Sequence, residues 1–384
     1  MSALTNTNDD VVNHPILPNT YLDEEDMSLL HDLKAAERPH LFTPIVSSSS
    51  NQFEKYDTPL WRRHNLAQDW EAIAEKFSEP LPGNRVEIVD AELVSSYEKQ
   101  NLPCLIPNLT STWTPQTFTT FLSTYSDLSF RFSDQHGSML DLTTYSAYVN
   151  HPLLGLMDDS PLAIYDSEFN LTEATKSIAD SYAVPPCFSK CLWEGIEAGR
   201  KPPFQWILAG PTRSGTGMHI DPVGTNAWVS LLRGLKLWVL FPDTIDVDSI
   251  GLVEKIESSV WFTQNWEKLK AGELGQFHMC LQRPGETVLV PAGWPHAVLN
   301  LADSYAITHN YACGENFEVL KRMVGEVIKE ERSFAKIWFK RLKETDREVW
   351  EKVKVMEGVG KIVEEEDSDD SDGSDSDNDD SGIH

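Results

Sequence analysis

The chain has 384 residues, 40% of them hydrophobic and 24% charged, so most of it has the composition to bury a sizeable core, and at about 150 residues per domain the length allows two or three domains. Its formal net charge of −28 argues against a generic nucleic-acid binder, and no apolar run approaches the roughly 18 residues of a membrane helix. The start, MSALTNTNDDVVNHP, lacks the basic and apolar regions expected of a signal peptide, and five cysteines fit a reducing compartment better than a disulfide scaffold.

Residues 1–50 are polar and broken and are expected to be mostly disordered, apart from one helix over 22–37 with Met27, Leu30 and Leu33 on one face. Residues 51–84 read as a helical lead-in, with apolar residues at helical spacing over 66–78 and Pro80, Pro82 and Gly83 as the stop. From Val86 the texture changes: VEIVD, PCLIP and LSFRFSD predict strands, with mixed helix or loop at 115–125 and 138–149. A helical pattern follows over 171–200, interrupted at Pro185–Pro186. Residues 204–241 hold four strand-like runs, FQWILA, GMHID, AWVSLLRG and KLWVLF, separated by turn residues. A charged helical insert at 249–274 precedes three more strands, ETVLVP, HAVLNL and SYAITHNYA. Residues 316–358 read as C-terminal helices, rich in i, i+4 charge pairs. The tail, 359–384, is expected to be disordered: its stretch 364–380 has 11 acidic residues and no basic one, and setting those 11 aside still leaves −17 of the −28. The pattern predicts a mainly β sandwich or barrel with helices packed outside.

His219-Ile220-Asp221 lies in one of the predicted strands, where residues i and i+2 share a face. An imidazole and a carboxylate there offer two adjacent metal positions. His296, which opens a strand after Pro-Ala-Gly-Trp-Pro, offers a third. Two His and one carboxylate form the facial triad that leaves open positions on Fe(II), though zinc accepts the same set, and a strand histidine is often only a hydrogen-bonded core residue. Lys236 sits in KLWVLF among apolar neighbours. Such a lysine either lies exposed at an edge or is buried against an anion, such as the distal carboxylate of a cosubstrate, to which Thr308 would add a hydroxyl. Alternation groups Lys236 with Trp238 and Leu240 in a barrel interior. Trp206 and Trp294 are the tryptophans expected to line the pocket. Gly210–Gly217 begins like a phosphate loop but has Thr216 where the lysine belongs and leads into a strand. Cys187-x-x-x-Cys191 reads as structural, and His278-Met-Cys280 as a weak metal signal.

The segments SGTGMHIDPVGTNAWVSLLRGLKLWVLFP, RPGETVLVPAGWPHAVLNL and AITHNYA resemble the JmjC-domain oxygenases. The nearest branch is that of protein lysyl hydroxylases and proposed arginine demethylases formerly called phosphatidylserine receptor, which SPLAIYDSEF, YAVPPCFSKCL and RKPPFQWILAGPTRSGTG also resemble. The similarity covers roughly residues 85–345, with the oxygenase domain itself expected at 85–315. It implies a double-stranded β-helix, a jelly-roll relative of the cupins, with flanking N- and C-terminal helices. It implies Fe(II) as the metal and 2-oxoglutarate and O2 as cosubstrates. His219, Asp221 and His296 match the iron ligands; Lys236 matches the residue that binds the 5-carboxylate, Thr308 the one that assists it, and Thr216 and Asn310 match pocket positions. Val229 stands where the branch has Asn, and Gly-Trp-Pro-His replaces Gly-Trp-Trp-His. The implied function is hydroxylation of a protein side chain, either lysine itself or an N-methyl group that is then lost as formaldehyde. The alternative is a non-catalytic cupin-like module that recruits basic proteins through its acidic surface. The expected partner is a lysine- or arginine-rich protein, with no direct nucleic-acid or membrane contact. A homodimer through the C-terminal helices and a nuclear or cytoplasmic location are also expected.

Overall fold

A computed structural model describes residues 22–38, 55–113, 117–132, 139–252 and 255–363. Its strands are β1 (Glu87–Ile88), β2 (Cys104–Ile106), β3 (Ser129–Arg131), β4 (Met139–Asp141), β5 (Ile164–Asp166), β6 (Gln205–Gly210), β7 (Gly215–His219), β8 (Asn226–Leu240), β9 (His278–Gln282), β10 (Thr287–Val290) and β11 (His296–Tyr311). Nine of them form one connected sheet, and β3 and β4 pair separately.

The fold is organised by β8 and β11, which run antiparallel to each other from Asn226 opposite Tyr311 to Leu240 opposite His296. Each has two halves with different outer neighbours. The first half of β8 pairs with β10 and its second half with β9. The first half of β11 pairs with β7 and its second half with β6. Beyond them, β2 and β1 extend the β10 side and β5 extends the β6 side. Two strands shared by two half-sheets make the jelly-roll double-stranded β-helix, with its interior between the halves.

Two expectations change here. AWVSLLRG and KLWVLF are one strand, and so are HAVLNL and SYAITHNYA. Gly234 and Ala302–Asp303 separate these runs in the sequence, but the chain only bends there. Gly234 has φ +96, and a methyl group on it would stand 2.3 Å from Ser304 Oγ. The register of β11 against β8 slips between Asn300 and Tyr305. The polar residues therefore mark a bulged corner at which both strands pass from one half-sheet to the other. Residues 171–200 also differ. They hold only a helical turn at Lys176–Ala179 and 3-10 turns at Pro186–Phe188 and Ala198–Arg200. Ser181 Oγ donates to the Ile178 carbonyl and Ser189 Oγ to that of Pro186, so side chains take acceptors that a continuing helix would need.

The remaining helices follow the expected pattern. Glu24–Glu37 buries Met27, Leu30 and Leu33, and also Lys34, whose Nζ lies 2.9 Å from Asp158 Oδ2. Trp70–Lys76, Phe118–Thr124 and Leu142–Asn150 lie before the central strands, and Ser258–Ala271 is the insert. Phe317–Glu330, Arg332–Thr345 and Arg347–Val353 build a separate core around Met323, Val327, Trp338 and Phe339. The disorder expected for 1–50 around its helix falls almost wholly outside the described residues, and so does 364–384; the expectation for 359–384 is corrected at its start, where 359–363 is helical and buries Val359 and Ile362 in the C-terminal core. No helix among the described residues is long and apolar enough to cross a membrane.

Candidate metal centre

His219 ends β7 and His296 opens β11, and the two are register partners. Asp221 lies just past the strand, but with φ −63 and ψ 143 its backbone remains extended, so strand alternation carries over. The chain then turns sharply through Pro222–Gly224. Asp221 Oδ1 is 3.8 Å from His219 Nε2 and 4.0 Å from His296 Nε2. One ligand atom from each residue lies within 4.8 Å of the others, the only such trio of His, Cys, Asp or Glu found among the described residues.

The tautomers are set by the backbone. His219 Nδ1 is 2.8 Å from the Gly217 carbonyl, and His296 Nδ1 is 2.9 Å from that of Trp294. A carbonyl only accepts, so each Nδ1 carries the hydrogen and each Nε2 keeps its lone pair for the shared space beside Asp221. Burial pushes the Asp221 carboxyl up. Burial, and then the neighbouring His219, push His296 well below the usual histidine range. Two Nε2 atoms beside a carboxylate short of positive charge suit a divalent cation, and the two-His, one-carboxylate set suits iron with open positions.

These groups open into a cavity of about 140 Å³. Thr216, Lys236, Thr308, Asn310 and Trp206 line it, as the sequence predicts. Lys236 is only 4% exposed, so the edge-lysine alternative does not hold. Its Nζ donates to Asn300 Oδ1 at 2.7 Å, and Asn300 Nδ2 donates to Ser214 Oγ at 2.8 Å. Burial pulls its pKa down to about 7. One neutral acceptor does not compensate a buried ammonium, so its charged form is disfavoured until an anion stands beside it. Asn310 donates to Thr225 Oγ1. Val229, opposite Thr308 in the β8–β11 register, makes its stretch of wall apolar. Trp238 stacks on His296 with ring centroids 5.9 Å apart.

Trp294 is not among the lining residues, which corrects the expectation. Its ring packs against His278 on β9, and its contribution to the site is the carbonyl that orients His296. Asn300 was missed. It lies four residues after His296 on the same strand face, and the signal was a lone amide in the apolar run HAVLNL. Among the described residues His278 and Cys280 join no group of three potential metal ligands, and Cys187 and Cys191 are free thiols.

A family profile described as JmjC domain, hydroxylase, matches residues 206–311. The chain is 32% identical over 306 residues to a "Bifunctional arginine demethylase and lysyl-hydroxylase psr-1" of Caenorhabditis elegans, covering 74% of this chain and 75% of that one. It is 34% identical over 169 residues to an "Arginine-specific demethylase JMJ22" of Arabidopsis thaliana, covering 42% and 33%. It is 29% identical over 140 residues to a "2-oxoglutarate and iron-dependent oxygenase JMJD4 homolog" of Drosophila melanogaster, covering 36% and 32%. The double-stranded β-helix with its His-Asp-His trio thus carries an oxygenase and not the non-catalytic module. The chain belongs to the JmjC-domain hydroxylases: it is an Fe(II)- and 2-oxoglutarate-dependent dioxygenase that hydroxylates a protein side chain.

Proposed function

We propose that His219, Asp221 and His296 hold the iron, that Lys236, assisted by Thr308, takes the 5-carboxylate of 2-oxoglutarate, with Thr216 and Asn310 lining its pocket, and that the substrate is a lysine or an N-methylated side chain in a basic protein. The observation that carries this reading is that the trio and a buried lysine, whose recorded partner among the described residues is the neutral Asn300, face one cavity. Iron held there would supply oxygen activation, in which O2 gives one atom to the succinate left by decarboxylation of 2-oxoglutarate and the other to a substrate C–H bond. The protein's part is positional. The Gly217 and Trp294 carbonyls hold the imidazoles, and Lys236 with Asn300 anchors the distal carboxylate at the floor. Exposure gives the direction of approach: the His219 side chain is 28% exposed and that of His296 4%. The cosubstrate therefore occupies the Lys236 end and the substrate side chain enters past His219 and Asp221.

The relative from Caenorhabditis elegans, named for both arginine demethylation and lysyl hydroxylation, supports a lysine or methylated basic residue as target, and the acidic charge of this chain favours a basic protein. The same charge disfavours nucleic acid, and we read the protein as acting in the nucleus or cytoplasm away from membranes. We further propose that copies of the chain pair through the C-terminal helices, which the mass of the protein in solution would test. The test is succinate formation from 2-oxoglutarate with added Fe(II), together with mass spectrometry of lysines in cells with and without the protein. Asp221→Ala is expected to abolish turnover while the fold persists, because one hard ligand of three is gone. A wild-type rate in that variant would refute the ligand assignment. Lysines heavier by one oxygen indicate hydroxylation, and released formaldehyde indicates N-methyl chemistry.

A further inference from the structure

Asp221 and His296 both sit beside irregular backbone. Asp221 leads into Pro222–Gly224, where Val223 has φ 49 and Gly224 φ +63. A β-branched residue in the left-handed region is strained and persists only if its surroundings hold it there. His296 follows a turn in which Gly293 has φ +75. The two loops are distant in sequence, yet one helix, Phe317–Glu330, lies against both.

On the Asp221 side, Val223 is buried in the core built by Leu320, Met323 and Val324 of that helix. Gly224 lies so close that a methyl group on it would stand 3.0 Å from Met323 Cα. On the His296 side, a methyl group on Gly293 would stand 2.2 Å from Arg322 Nη1, so the guanidinium covers that glycine. Arg322 Nη2 donates to Asp243 Oδ2 at 2.9 Å. Asn101 Nδ2 donates both to Asp243 Oδ2, at 3.4 Å, and to the carbonyl of Ala292, at 3.3 Å. Arg322, Asp243 and Asn101 therefore brace the turn from which the Trp294 carbonyl orients His296.

We propose that the helix Phe317–Glu330 positions the metal centre, with Arg322 as the positioning residue for His296 and the Met323 backbone as the stop that keeps the Asp221 loop in its strained form. This rests on reading His219, Asp221 and His296 as the metal ligands. It gives the helix a role that packing alone would not require: its neighbouring residues 322 and 323 set the separation of two ligands.

The test uses the full chain, metal-free, with Co(II) as probe. Arg322→Ala is expected to weaken Co(II) binding roughly tenfold or more, the usual cost of losing an outer support of a metal ligand. The melting temperature of the metal-free protein should change little. With Fe(II) restored, kcat should fall while KM for 2-oxoglutarate, set at the Lys236 end, stays near wild type. Arg322→Lys keeps the charge for Asp243 but not the planar cover on Gly293, so it should fall between wild type and alanine. Should Arg322→Ala fail to fold, the decision passes to Asp243→Asn, which keeps the shape, removes the charge, and should weaken Co(II) binding in the same direction. Wild-type Co(II) affinity in Arg322→Ala, or in Asp243→Asn if the first is unfolded, overturns the proposal. His296→Ala is the control for the underlying reading: if it binds Co(II) as wild type does, the ligand assignment fails first.

Discussion

At Lys236 burial and charge oppose each other, and the balance makes a measurable prediction. The free protein holds its pKa near 7, because the ammonium is desolvated and has one neutral acceptor. A carboxylate beside it restores the charged form. Above pH 7, 2-oxoglutarate binding must therefore take up a proton, and affinity should fall by about tenfold per pH unit until the bound-state pKa is passed. Calorimetric titration of the Mn(II)-loaded protein without oxygen, in buffers of different ionisation enthalpy, checks this at pH 8.5. Zero proton uptake would remove Lys236 from the cosubstrate site. The stability of the ligand-free protein has the opposite slope. Between about 7 and 10.5 the unfolded lysine is protonated and the native one is not, so this residue makes stability rise with pH there. Much of the site was legible at this scale because strand alternation groups His219 with Asp221 and Lys236 with Trp238 and Leu240, while the resemblance to the JmjC oxygenases brings those strands together with His296 and Thr308. Trp294 was misread because a turn has no such period, and its side chain and carbonyl serve different neighbours. Asn300 went unread because only the register across β8 and β11 places it opposite Lys236.

Elements were legible where one period ran unbroken and illegible where a strand changed sheets. The helix Glu24–Glu37 and the three C-terminal helices appear where apolar spacing puts them. The continuity of β8 does not appear, because Gly234 punctuates it as a turn would. The structure gives that glycine a specific task, a positive φ at a corner closed by Asp303 and Ser304 of the partner strand. Gly234→Ala would place a methyl group 2.5 Å from the Asp303 carbonyl oxygen. The strained backbone alone costs about 1–3 kcal/mol, before the clash is counted. Denaturant unfolding should show the variant destabilised by at least that range. Wild-type stability would mean the corner is not held by this glycine. Residues 171–200 failed for another reason: their serines and prolines favour local turns, and a helical pattern of apolar residues does not outweigh them.

For the whole molecule the dominant quantity is charge. The −28 is carried partly by the 11 acidic residues of 364–380, yet −17 remains without them, so attraction for a basic protein does not depend on the tail alone. The bland role of the tail is solubility; the sharper one is recruitment, for which Ser368, Ser371, Ser374 and Ser376 offer sites where phosphorylation would add about −1.5 to −2 each. Among the described residues the cavity is lined entirely from within 163–310, so neither role calls on the tail for the chemistry. Truncation after Val363 should therefore leave substrate-free turnover of 2-oxoglutarate at the wild-type rate. Recruitment would show elsewhere: binding to a lysine- or arginine-rich protein should weaken on truncation, and the difference should shrink as salt shortens the screening length from roughly 30 Å at 0.01 M to about 8 Å at physiological strength. Affinity measured for both forms across that range separates the roles. Equal binding at low salt would leave solubility as the tail's function and place the attraction for basic partners on the folded body.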